Sequence, residues 1–146
     1  MRAIIVFLCF IGLTRTALAQ DIQQSQVPAA VATAFQSKFP TATKIKWKQK
    51  NADYKAEFKV DSRGHDVWFD KAGKIKKHKE DFPKSQLPAP VKDKLAKDFK
   101  DFSIDDADKV DAEGKIYYQI DLKNAAGEKR KVLLSPEGKI EAANVD

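Results

Sequence analysis

Cysteine is all but absent from this chain. The single copy, Cys9, lies in an apolar N-terminal run, so nothing after it can close a disulfide, give a thiolate to a metal or act as a thiol nucleophile. Histidine occurs only at His65 and His78. The two are too far apart for a metal-ligand spacing, and no serine sits in a nucleophile motif, so neither a metal site nor a catalytic triad is expected. Both histidines read as solvated, His65 at a hairpin exit after Gly64 and His78 inside a lysine run. Glycine is sparse as well: the five that follow Gly12 all close turn patterns, which leaves no glycine-rich loop for a phosphate. No apolar run after the first nineteen residues is long enough to span a bilayer.

Those nineteen residues form a leader. Arg2 precedes an apolar stretch from Ala3 to Leu13, and Ala17-Leu18-Ala19 before Gln20 is the small-x-small pattern of a secretory cleavage site. Cys9 lies mid-run behind Phe7 and Leu8, which is the wrong context for lipid attachment. Cleavage removes two of the 27 basic residues and none of the 21 acidic ones, leaving 127 residues with a net charge of +4. The expected location is therefore periplasmic or secreted.

The turn patterns organise the remainder. DSRG at 61–64, DKAG at 70–73, DAEG at 111–114, NAAG at 124–127 and SPEG at 135–138 each start with a residue whose side chain accepts a local backbone hydrogen bond and end in glycine. Asn51-Ala52-Asp53 supplies one more turn. Between them apolar and polar residues alternate: Ile45 and Trp47; Tyr54, Ala56, Phe58 and Val60; Ile116, Tyr118, Ile120 and Leu122. These are period-two strands with one buried face. Ahead of each strand set, Val27, Val31, Phe35 and Phe39, then Leu87, Val91, Leu95 and Phe99, recur every four residues, each with a proline after the first member. That is a helix stripe with proline where a helix tolerates it. The phrase FDKAGKI at 69–75 returning as LSPEGKI at 134–140 completes the repeat.

The fold class is accordingly α+β, a tandem repeat of two units, each one N-terminal helix followed by an antiparallel meander of about four strands. Residues 1–19 form the signal peptide, 20–82 the first unit and 83–146 the second. A lone unit of this size buries only about 60% of its unfolded surface, so the two are expected to pack as one compact module. The linking region lies in the charged, proline-containing stretch from Lys76 to Gln86, unless part of that stretch completes the fourth strand of the first unit.

Little chemistry is visible. Asp105, Asp106, Asp108, Asp111 and Glu113 cluster, but a calcium loop begun at Asp106 places Val110 where an oxygen donor is required. The cluster reads as solvated acidic surface, with Asp105 and Asp106 following the second helix. No enzyme and no cofactor is implied. The lysines of KIKWKQK at 44–50 and KIKKHK at 74–79 alternate with apolar residues, as the outer face of a strand does, and nucleic acid is not an expected partner. Apolar residues of the wrong parity are more informative. With Val67 and Phe69 inward, Trp68 points to the other sheet face, as does Leu133 between Val132 and Leu134, and Tyr117 beside inward Tyr118. Trp68, Tyr117 and Leu133 are the candidate protein-binding residues; the competing expectation is that the second unit or a copy of the chain covers them as ordinary core. The alternative is that the lysine-rich sheet binds a small ligand or an anionic envelope polymer.

The runs VPAAVATAFQSKFPTATKIKW, YKAEF, VWFDKAGKI, LPAPVKDKLAKDF and YYQIDL resemble the PepSY-like, beta-lactamase-inhibitor-like proteins exported by Gram-negative bacteria. The resemblance covers nearly the whole chain after the leader. It implies tandem helix-plus-sheet units and a non-enzymatic role, related domains being thought to restrain peptidases. It carries over no catalytic residue.

Overall fold

The computed structural model describes residues 19–145; the leader through Leu18 lies outside them. Nine strands make one sheet in chain order: β1 (Gln20–Ile22), β2 (Thr43–Lys50), β3 (Asp53–Val60), β4 (Arg63–Phe69), β5 (Ile75–Asp81), β6 (Phe102–Ala112), β7 (Lys115–Asn124), β8 (Lys129–Leu134) and β9 (Ile140–Val145). Every neighbouring pair is antiparallel. Helix α1 (Ala29–Lys38) precedes β2 and helix α2 (Ala89–Asp98) precedes β6. One helix followed by four strands thus occurs twice, with β1 added as an edge strand too short to show any alternation.

Each helix buries its four-residue stripe on one face of the sheet. In the first half Val31 and Phe35 meet Trp47, Ala56, Phe58, Val67 and Phe69; in the second, Val91 and Leu95 meet Ala107, Tyr118, Ile120, Leu122, Val132 and Leu134. Val31, Val67, Phe69, Val91, Ile120, Val132 and Leu134 are wholly inaccessible. Each such side chain is worth about 1.5–3 kcal/mol relative to exposure, so the helices are held by these stripes. Neither helix has a side-chain N-cap: Pro28 and Pro88 occupy the capping positions, each after a short 3-10 turn.

The halves join through the sheet. β5 pairs with β6 from Lys77 opposite Ala112 to Asp81 opposite Asp108. Most of that charged stretch is therefore strand and completes the first meander, with Lys77 and Lys79 on one face and His78 and Glu80 on the other.

Three local expectations need correction. The stretch DSRG does not form a glycine-closed turn: Asp61 and Ser62 alone make the bend, both with positive φ (49° and 68°), and Gly64 lies within β4. Such a two-residue turn matches the twist of its flanking strands. Ile45 does not share the buried face with Trp47. A register shift between Thr43 and Lys46, with Lys44 at φ 53°, turns Ile45 outward to 37% exposure, as a bulge does. Asp105 and Asp106 do not trail the helix but belong to β6.

Candidate binding face

With both helices on one side, strand register fixes what the other side carries. Lys55 pairs with Trp68, Trp68 with Lys77 and Lys77 with Ala112, so these four share the helix-free face; Asp66, Lys79, Val110 and Tyr117 form the next row. Asp108, Gln119 and Leu133 form the row after that. Trp68, Tyr117 and Leu133 therefore all stand on the free face, each half-buried.

They are not one cluster. Tyr117 and Leu133 line a shallow groove of about 260 Å³ with Lys77, Val110, Gln119 and Lys131. Trp68 lies two strands beyond β6, its ring held between the ammonium groups of Lys55 at 4.9 Å and Lys77 at 4.7 Å. Lys77 thus touches both, forming one wall of the groove and one side of the tryptophan sandwich. Val110, only 3% exposed, is the groove floor. Sequence parity could have found it, because Val110 is out of phase with inward Ala107.

Charge on this face is largely compensated. Glu57 accepts Lys55 at 2.7 Å and Lys48 at 3.0 Å, Asp66 accepts Lys55 at 2.9 Å, and Asp121 lies 3.5 Å from Lys131. Asp108 is the extreme case. Far from being solvated surface, its side chain is 5% exposed, and it accepts hydrogen bonds from Lys79 Nζ at 2.9 Å and Gln119 Nε2 at 3.2 Å. Burial raises the Asp108 pKa and the hydrogen bond and charge of Lys79 only partly offset it. Lys77 differs in kind. Burial lowers its pKa, repulsion from Lys79 and Lys55 adds to this, and the attraction of Asp66 and Asp108 does not restore it.

The helix side holds what the sequence hides. His65 and His78 are not separately solvated. His65 is 9% exposed, and its Nδ1 lies 3.0 Å from His78 Nε2, one imidazole donating its N–H to the bare nitrogen of the other. Burial chiefly lowers the His78 pKa. Glu80 stands opposite His65 across the strand pair, its Oε2 3.9 Å from His65 Nδ1.

A family model described as "Putative beta-lactamase-inhibitor-like, PepSY-like" matches residues 15–63 and again 52–141. Among solved structures, a "putative periplasmic" protein from Bacteroides eggerthii DSM 20697 superposes with a TM-score of 0.75 at 24% identity, over 82% of this chain and 88% of its own. A DUF2874 family protein from Bacteroides uniformis ATCC 8492 gives 0.74 at 22% identity, over 81% and 88%. A BLIP-like protein from Bacteroides fragilis NCTC 9343 gives 0.67 at 23% identity, over 81% and 86%. At such identities the likeness is one of fold. No curated protein matches the chain. The family matches together run from residue 15 to 141, and the chain belongs to the PepSY-like, beta-lactamase-inhibitor-like family.

Proposed function

We propose that this chain is an exported, non-enzymatic binding or inhibitory module that engages an envelope or secreted protein through its helix-free sheet face, with Trp68, Tyr117 and Leu133 as apolar anchors. The observation that carries this reading is the groove floored by Val110 and walled by Tyr117, Leu133 and Lys77. It sets apolar surface beside a cation whose charge its own fold leaves poorly compensated. A partner that inserts an apolar side chain into the groove and places a carboxylate against Lys77 satisfies both. Trp68 is already half-buried, so covering the exposed part of an aromatic of ~150–250 Å² at ~25 cal/mol per Å² supplies no more than about 2 kcal/mol before association costs, which makes Trp68 one anchor among the three.

Export rests on the leader-like N-terminus and agrees with the periplasmic description of the Bacteroides eggerthii relative. The non-enzymatic reading rests on family membership and on a sheet face whose acids are engaged in ion pairs. Those pairs also weigh against the polymer-binding alternative, because Lys48, Lys55, Lys79 and Lys131 already have carboxylate neighbours.

The test is capture from envelope extracts by the mature chain and by a folded Trp68→Ala, Leu133→Ala double variant, followed by direct binding of the captured protein at low and high salt. A partner held by the parent, lost by the variant and retained in high salt supports the reading. Capture that is unchanged in the variant, or that vanishes with salt, overturns it.

A further inference from the structure

We infer that His65, His78 and Glu80 form a binding site for one divalent transition-metal ion of the zinc type, on the helix side of the sheet next to the seam between the two halves. The placement follows from β4 and β5. His65 is paired with Glu80, and His78 precedes Glu80 by two residues on the same face, so three donors leave adjacent positions on two rigid strands. Their ligand atoms, one from each side chain, all lie within 4.8 Å of one another.

The distances suit a small ion. Zinc bonds imidazole nitrogen at about 2.0–2.1 Å, and a tetrahedron with such bonds separates its donors by about 3.3–3.4 Å. The His65–His78 nitrogens stand at 3.0 Å and the His65–Glu80 pair at 3.9 Å, bracketing that value. The third pair, His78 and Glu80, lies within 4.8 Å, and side-chain rotation closes the set around the ion at the expense of the single N–H···N hydrogen bond. Two imidazoles and a carboxylate select zinc and its neighbours over calcium or magnesium, which take oxygen ligands.

The surroundings complete a site. The Phe58 ring lies nearly parallel to His65 (12°, centroids 5.3 Å) and Phe39 stands edge-on to His78 (71°, 5.4 Å), giving apolar walls that fix both rings. Lys109 Nζ lies 3.6 Å from Glu80 Oε1, which holds one carboxylate oxygen and leaves the other toward His65, an outer contact of the sort that orients metal ligands. His78 also lines a cleft of about 350 Å³ with Lys38, Lys76, Asp111 and Glu113. That cleft gives an entry path and a fourth, open coordination position for water or a ligand atom.

The experiment uses the untagged mature chain stripped with chelator. Zn²⁺ is titrated in by calorimetry, Co²⁺ is followed by visible absorption, and the histidine ring resonances are watched by NMR. Expected are one ion per chain, an intense Co²⁺ spectrum of low coordination number and movement of both histidine ring signals. His78→Gln should weaken Zn²⁺ binding at least ~100-fold and Glu80→Gln at least ~10-fold, since even outer-shell changes cost about 10–100-fold. Glu141→Gln, exposed on edge strand β9 and four strands from β5, should leave binding unchanged. His78 is half-buried, and circular dichroism checks that its variant is folded; Glu80→Gln gives an independent reading should it not be. Absence of saturable Zn²⁺ binding by the parent chain overturns the site, as does a folded His78→Gln or Glu80→Gln variant that binds as tightly as the parent.

Discussion

Gly73 and Ala30 stand so close that a β-carbon on Gly73 would come within 2.6 Å of the Ala30 carbonyl oxygen, and Gly73 itself has φ +84°. Gly138 repeats the relationship with Pro90, at 2.5 Å and φ +81°. In each half the turn before the last strand touches the first turn of the helix. The phrase GKI therefore occurs twice because each unit closes its meander against its own helix, at a point where a backbone atom rather than a side chain is the neighbour.

Gly73→Ala and Gly138→Ala should each destabilise the fold by about 3 kcal/mol or more, combining left-handed strain of about 1–2 kcal/mol with overpacking of about 1–3 kcal/mol. Gly114→Ala and Gly127→Ala are the controls. Both glycines have similar φ values but nothing within 4 Å of the added carbon, so only the strain should register. Urea midpoints of the four variants check this, and equal losses in all four would mean that the helix contact is immaterial.

Lys79 and Asp108 form an ion pair whose two charges fare unequally. Burial lowers the Lys79 pKa but the hydrogen bond and charge of Asp108 outweigh it and hold it above its ordinary value, whereas at Asp108 burial prevails. Asp108 is held up in pKa by burial, so its charge is desolvated beyond what Lys79 returns. Removing Lys79 alone strands that charge, and Lys79→Met should cost about 2–4 kcal/mol, scaled down from the fully buried case because Lys79 is 26% exposed. Replacing both partners, Lys79→Met with Asp108→Leu, should recover most of the loss or surpass the parent. A double-mutant cycle in urea reads the coupling directly.

Glu57 has the opposite signature in pH. Burial disfavours its charge, but hydrogen bonds and charges from Lys55 and Lys48 outweigh that and hold its pKa below the ordinary 4.5. The unfolded chain then binds the proton more readily than the fold. Stability from Glu57 is fully present above about pH 4.5 and is lost as pH falls through the folded value. Asp108, raised instead of lowered, loses stability as pH rises through its folded value. Glu57→Gln should lower stability at pH 7 by about 0.5–1 kcal/mol, modest because the site is partly solvated, and should flatten the acid limb. Urea midpoints between pH 3 and 7 measure both effects.

What was legible in the sequence is what depends on one element at a time. The stripe Val31–Phe35, its copy Val91–Leu95, the turn residues and the outward parity of Trp68, Tyr117 and Leu133 all follow from local periodicity. The histidine pair does not. Between Trp68 and Phe69 the partner residue jumps from Lys77 to Ile75, an extra residue in β5 that reverses its phase. Counting from inward Ile75 would put Lys77 beside the helix and His78 on the free face; the bulge exchanges them. Asp108 escaped for a different reason, since its burial requires the pairing of β5 with β6 across the two halves. Ile45 leaves the buried face because of the bulge at Lys44. In each case the missing quantity is register between strands, which side-chain alternation within a strand cannot supply.

Leu133 and Leu134 are adjacent in β8 and lie on opposite faces, which lets stability and binding be separated. Leu134 is wholly buried in the second core, and Leu134→Ala should cost about 2–5 kcal/mol. Leu133 is half-buried beside Tyr117 in the groove, so Leu133→Ala should cost about 1 kcal/mol or less, the surface it loses being partly wet already. If Leu133 proves as costly as Leu134, the free face is a second structural core and its apolar residues are accounted for by folding alone. A small cost instead means that folding does not require a large apolar residue there. The groove anchors would then have to be explained by what they bind, and Leu133→Ala becomes the variant of choice for measuring that binding in a protein of nearly unaltered stability.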